Sequence, residues 1–264
     1  MSWSSGGPGS GNDTFTGGAV ADTADGLAGD DLLNGLDGND SLIGSDGADT
    51  IDGGNGNDTI IPGAGDDVLR GGDGNDELNM GAATSDLTLD LGAGTVGGQG
   101  NDTLLDRFER ISTGSGADTI LMGGADTSAG TLRVWSNDGN DSIQGNTSSA
   151  QMVLDGGAGN DTILGGSNTD TIIGGTGDDS LDGRGGTDRL VFTGASPVFV
   201  DLVAGTASGQ GADTVTAFPQ VTGGTGADTL IGDGLDNRLE GGDGADSIDG
   251  GAGNDTILPG AGDD

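Results

Sequence analysis

"GGNGNDTIIPGAGDDVLRGGDGNDELN" spans residues 53–79. An aspartate returns every nine residues, at Asp58, Asp67 and Asp76, and two residues after each stands one large aliphatic: Ile60, Leu69 or Leu78. Glycine fills most of the remaining positions. Glycine loses more backbone freedom on ordering than any other residue, and a row of carboxylates repels itself. A chain that keeps such a pattern must gain something that offsets both costs.

The frame G-G-x-G-x-D-x-U-x, with U a large aliphatic, runs without a gap over 8–79. Repetition at a fixed period means that one short structural unit is stacked many times. A second array covers 136–191 and contains the degenerate line GNTSSAQMV, after which Leu154 and Asp155 read as inserted. A third array covers 223–264 and stops at PGAGDD, halfway through a line, so the natural chain is expected to continue or to have been cut there. Between the arrays lie two inserts, 80–135, which holds one further line at 113–121, and 192–222. "LTLDLGAGTVGGQGNDTLLDRFERISTGSGADTI" from 87 and "VFVDLVAGTASGQGADTVTAFPQVTGGTGADTL" from 198 match with one gap. Leu87-Thr88-Leu89 and Val198-Phe199-Val200 read as strands by β-propensity. Both inserts read as wider coils, and the whole as one continuous elongated solenoid.

Composition narrows the options. The chain has 44 acidic and 7 basic residues, a net charge of −37, 61 glycines among 264 residues, 31% hydrophobic and 3% aromatic content. All seven basic residues are arginine, and there is no Lys, His, Cys or Tyr. On composition alone this lies near the disordered class. Nucleic acid and anionic lipid need Lys/Arg patches, which are missing. No apolar run approaches the ~20 residues of a membrane span, and the N-terminus shows no basic region or apolar core of an ordinary signal peptide. Without Cys there is no disulfide or thiol chemistry, which suits a protein exported without disulfide assistance.

Each line divides into a turn of six residues and a strand of three, such as Thr59-Ile60-Ile61, with U pointing inward. Gly at the first, second and fourth positions allows positive φ there. Asn168 in the fourth position is a mild change, since Asn tolerates the left-handed region, whereas Val20 and Leu235 should distort their turns. Two lines make one coil of eighteen residues, and coils stack ~4.8 Å apart. Asp58 then lies over Asp76 on one side, and Asp49 over Asp67 on the other. Each side becomes a column of carboxylates and turn carbonyls, which is an oxygen cage. Ca²⁺ takes ~6–8 oxygen ligands and tolerates irregular geometry, while Mg²⁺ demands an octahedron and retains water. Transition metals would want His or Cys.

The tandem lines "GGNGNDTII" and "GGDGNDELN" resemble the RTX, or hemolysin-type, calcium-binding repeats of secreted bacterial proteins. The resemblance covers most of the chain. It implies an all-β fold, a parallel β-roll (a right-handed β-solenoid) with wider inserted coils, and Ca²⁺ held between stacked turns. It carries the sixth-position ligand onto Asp13, Asp22, Asp31, Asp40, Asp49, Asp58, Asp67, Asp76, Asp118, Asp141, Asp161, Asp170, Asp179, Asp188, Asp228, Asp246, Asp255 and Asp264. Asn237 and, in the line at 145, Ala150 stand where Asp is expected, so those turns should bind weakly or not at all. Roughly 13 sandwiched Ca²⁺ sites follow, which would bring the charge from −37 to about −11.

The remaining features read blandly. Sequons such as those at Asn57 and Asn160 are by-products of the repeat. Trp3 and Trp135 cap or plug a roll, the alternative being sugar platforms. Arg107, Glu109 and Arg110 form a local ion cluster rather than a recognition patch. No isolated carboxylate pair suggests catalysis, so the chain is not expected to be an enzyme. The leading reading is a secreted, monomeric, calcium-binding structural module that folds after export; type I secretion is what the resemblance implies. The alternatives are a substrate-targeting module of an extracellular polysaccharide-active enzyme or lipase, with a glycan partner, and an adhesin or surface-layer stalk.

Overall fold

One inward aliphatic per nine residues cannot line a helix of period 3.6, but it can supply one inward residue to each short strand of a coil. In the computed structural model, residues 9–123, 130–145 and 150–264 are described, with the backbone of 2–5. No helix forms among them, and the strands are short and parallel to their neighbours one coil away. The chain divides into two compact units, 1–126 with 132–134, and 127–131 with 135–264.

In the first unit, strand Thr50–Asn55 pairs in parallel with Leu32–Asp37 before it and Val68–Asp73 after it, and Leu33, Ile51 and Leu69 stand in register. The intervening lines build a second ladder, where Leu42, Ile60 and Leu78 align across Ser41–Asp46, Thr59–Ala64 and Glu77–Asn79. These six aliphatics are at most 1% exposed. The second unit repeats the scheme, with Ile163 opposite Leu181 in one ladder and Ile172 opposite Leu190 in the other. Parallel ladders buried on one face need that face covered, and the opposite ladder covers it.

Many strands are longer than the three residues expected. Thr59–Ala64 and Thr50–Asn55 each run six residues, into the glycines of the next line. Glycine pairs there as well, Gly54 with Gly72 and Ser45 with Gly63.

The inserts splice into a ladder rather than leaving it. In the first, Asn101–Leu104 continues parallel to Val68–Asp73, then Thr95–Gly97 runs antiparallel, and Thr88–Asp90 turns back to lie parallel to Thr119–Leu121. In the second, Ala212–Thr216 follows Ser180–Asp182, Thr206–Ser208 is reversed, and Phe199–Asp201 lies parallel to Thr229–Ile231. Each wider coil therefore contains one reversed strand, and its described strands stay hydrogen-bonded from one neighbouring coil to the next.

One register differs from the sequence reading. Leu154 stands opposite Ile172 and is fully buried, so it is the inward aliphatic of its line and not an inserted residue. Met152, also fully buried, takes the place of the aspartate: its N–H donates to Asp170 Oδ1 at 2.9 Å. The side chain of Trp3 and residues 146–149 lie outside the described part.

Candidate metal centre

The sixth-position aspartates are tied to the coil that precedes them. The N–H of Asp49 donates to Asp67 Oδ1 at 2.8 Å, that of Asp58 to Asp76 Oδ1 at 2.9 Å, and that of Asp161 to Asp179 Oδ1 at 2.9 Å. The fifth-position side chains reach the other way. The N–H of Asn57 donates to Asn39 Oδ1 at 2.9 Å, and that of Asn75 to Asn57 Oδ1 at 2.9 Å. Two adjacent side chains thus clamp the coils on either side of them, satisfying turn amides that have no strand partner.

The second carboxylate oxygen is the unusual atom. Oδ2 is buried and has no hydrogen-bond partner in Asp13, Asp31, Asp40, Asp49, Asp58, Asp67, Asp76, Asp161, Asp179, Asp188, Asp228 and Asp246. A buried charged oxygen left unpaired is costly. In many lines it faces the first-position glycine of its own line. A Cβ on Gly53 would meet both Asp58 Oδ2 and the Gly71 carbonyl oxygen, and one on Gly44 both Asp49 Oδ2 and the Pro62 carbonyl oxygen. Of the positions where glycine allows positive φ, the first does not use it; Gly54 and Gly56, in the second and fourth positions, do, at 104° and 134°. Pro62 occupies a first position, where its ring fixes a negative φ. First-position glycine leaves room beside an oxygen pair.

Among the described residues no three acidic side chains converge to hold a metal ion. A cation here would take one or two carboxylate oxygens and fill its shell with backbone carbonyls, a mixture that suits Ca²⁺. Without a cation the carboxyls resist ionising. Burial, reinforced by neighbouring carboxylates, pushes Asp67 and Asp161 up to about 7, and Asp49, Asp76, Asp179 and Asp188 up to about 6. The orphaned oxygens, the reserved space and the raised carboxyls all fit a bound divalent cation.

The remaining sequence-predicted residues fall into place unevenly. Asp118 accepts the Leu87 N–H at 2.8 Å, and Thr113 and Gly114 also hydrogen-bond to it. Asp141 donates its N–H to Asp161 Oδ1 at 2.8 Å. Asp255 and Asp264 accept the amides of Asn237 and Asp246, at 2.9 and 3.0 Å, but Asp255 is only half-buried and Asp264 is exposed. Asp22 and Asp170 differ in kind, because Oδ2 of each accepts an N–H from its own turn, from Gly18 and Gly166, at 2.7 Å. The turns with Val20 and Leu235 do depart from the regular form, and so does that of Asn168, which does not take the positive φ expected of it.

Two aspartates escaped the sequence reading. The N–H of Asp67 donates to Asp102 Oδ1 and that of Asp179 to Asp213 Oδ1, both at 3.1 Å, so each insert contributes a sixth-position residue. The signal was present: GGQGNDTLL at 97–105 matches the frame outright and SGQGADTVT at 208–216 nearly so, but both stand out of phase with the arrays. Glu109 also enters a column, its Oε2 accepting the Asp76 N–H at 2.9 Å while Oε1 accepts from Arg107 Nε at 3.0 Å. Arg110 pairs with Glu77 at 3.1 Å, so the charges of LLDRFERIS are locally neutralised. Trp135 is half-buried at the end of strand Thr131–Trp135.

A profile of the RTX calcium-binding nonapeptide repeat (4 copies) matches residues 8–42, 25–60, 34–69, 63–82, 164–192, 220–234 and 231–264. No curated protein matches the chain. The profile covers more than half of the sequence, and the matched residues include the turns of the buried Asp13 to Asp76, Asp170, Asp179, Asp188, Asp228 and Asp246; the chain belongs to the RTX calcium-binding nonapeptide repeat family.

Proposed function

We propose that this chain is a calcium-dependent structural module of a secreted protein, disordered without calcium and folded into its coils when calcium is bound. The observation that carries the reading is the set of buried Oδ2 atoms without hydrogen-bond partners. An empty fold would hold those charges unpaired, whereas the extended chain leaves them in water. The ligands are the sixth-position aspartates, joined by Asp102 and Asp213, with turn carbonyls completing each shell. About thirteen ions follow from counting turns between turns in the three arrays, before the degenerate lines are discounted.

Extracellular sites of this class have Kd values of ~10⁻⁴ M, and a tenfold excess of free calcium then stabilises the fold by ~1.4 kcal/mol per site. Summed over about thirteen independent sites this is up to ~18 kcal/mol, comparable with the ~5–15 kcal/mol that separates most folded domains from their unfolded chains. Calcium at extracellular concentrations therefore decides the state, while cytosolic calcium leaves the chain extended and fit for export. Circular dichroism of the full chain in chelator, then in millimolar Ca²⁺, should show a coil spectrum replaced by a strand spectrum. A strand spectrum that is the same in both conditions overturns the reading.

A further inference from the structure

We propose that a residue other than glycine at the fourth position of a line closes its turn to calcium, and that the turns of Asp22, Asp170 and Asn237 take none. This rests on the calcium reading above and divides the sites within it. In these three lines the fourth position holds Val20, Asn168 or Leu235 in place of glycine. In all three the second-position N–H folds onto the sixth-position side chain of the same turn: Gly18 to Asp22 Oδ2 at 2.7 Å, Gly166 to Asp170 Oδ2 at 2.7 Å, and Asp233 to Asn237 Oδ1 at 2.8 Å. In lines 53–61 and 71–79, whose fourth residues Gly56 and Gly74 have φ of 134° and 155°, the corresponding Oδ2 of Asp58 and Asp76 has no hydrogen-bond partner.

The cause is steric. A Cβ on Gly56 would strike the Gly38 carbonyl oxygen one coil earlier, and one on Gly74 the Gly56 carbonyl oxygen. L-residues rarely adopt that φ, and Val20, Asn168 and Leu235 do not. Their turns close the other way and present an amide hydrogen where a cation needs an oxygen. An inward N–H is the positive end of a dipole and suits an anion. It satisfies the carboxylate by itself and repels a divalent cation from the same spot.

The closed turns are not scattered. In the unit containing 135–264, Met152, Asp170 and Asp188 follow one another along one edge, where Asn237 and Asp255 also lie. The other edge runs through Asp141, Asp161, Asp179 and Asp213, and through Asp228, Asp246 and Asp264, with a carboxylate at each of these steps and Val198, whose N–H donates to Asp228 Oδ1 at 2.9 Å, at the remaining one. Calcium in that unit is accordingly loaded mainly along one edge, while the opposite edge is held in large part by hydrogen bonds of the chain itself.

Equilibrium dialysis with elemental analysis of calcium per chain tests this on the full chain at saturating Ca²⁺, with circular dichroism confirming the fold of each variant. Asp161→Asn should lose at least one ion, Asp170→Asn and Asp22→Asn should keep the parent count, and Asn168→Gly should gain one. Val20→Gly serves as the second gain variant if Asn168→Gly does not fold. Loss of calcium in Asp170→Asn equal to that in Asp161→Asn, with no gain in either glycine variant, overturns the proposal and leaves the calcium reading standing. A parent chain that binds no calcium overturns both.

Discussion

Asp102 receives the amide of Asp67, and Asp213 receives that of Asp179, so both inserts hand the carboxylate column on at the same place. Phe108 and Phe218 are buried at matching positions, and Ile111 and Val221 stand opposite Leu78 and Leu190. Between these common points the inserts differ. The first places Glu109, braced by Arg107, against the Asp76 amide. The second has Pro219 at the matching position, followed by Gln220, whose N–H donates to the Asp188 carbonyl oxygen at 3.2 Å. The splice of strands is therefore independent of what closes the opposite edge. One insert continues the acidic column there with a longer arm, and the other ends it.

The comparison is tested most severely at the aromatics. Phe108→Ala and Phe218→Ala should each cost ~3–5 kcal/mol by cavity formation, read from denaturant unfolding in excess calcium. Similar losses would confirm that the splice is built the same way twice. A loss confined to one insert would break the equivalence.

Acid is the next probe. Folding raises Asp67 to about 7 and Asp102 to about 6 beside the first insert, and Asp179 to about 6 beside the second. Burial is the leading cause in each, and the unfolded carboxyl lies near ~3.9. A carboxyl whose folded pKa is raised favours the fold while it is protonated. That contribution is complete below the unfolded pKa and is lost as pH rises through the folded value. Metal-free protein should thus show more strand signal near pH 4.5 than at pH 8, with the loss falling across about pH 6–7. Calcium affinity should rise over the same interval, and a metal-free strand signal that grows with pH would contradict the assignment.

The smallest expected difference lies at Glu109. Glu109→Gln keeps an acceptor for the Asp76 amide but removes the charge that pairs with Arg107 at 3.0 Å. A partly exposed ion pair contributes ~0.2–1 kcal/mol, so unfolding in calcium should shift by that amount. A larger loss would mean that the acidic column, and not the ion pair, depends on this carboxylate.

Much of this was legible in the sequence. The nine-residue period, the inward aliphatics such as Ile60 and Leu69, and the coil of eighteen residues could all be read because they depend on side-chain type at fixed spacing. The site was legible in its carboxylates but not in their state. Whether Asp170 Oδ2 faces an amide or open space is a choice of turn geometry, made by Asn168 two residues earlier. The register near Met152 was misread because GNTSSAQMV keeps only its first glycine and has no Asp to count from, and only pairing with Ile172 places Leu154. The roles of Asn39 and Asn57 were missed because an acceptor that serves the next coil looks, in one dimension, like any polar turn residue.

The backward reach of the sixth-position side chain gives the coil a direction of growth. A turn such as that of Asp58 is finished only when Asp76, one coil later, offers its carboxylate to the Asp58 amide. A chain ordering from its amino end would always carry one such turn incomplete at its tip, whereas a chain ordering from its carboxyl end would present each sixth-position acceptor before its donor arrives. The two orders should differ in rate although they end in the same structure.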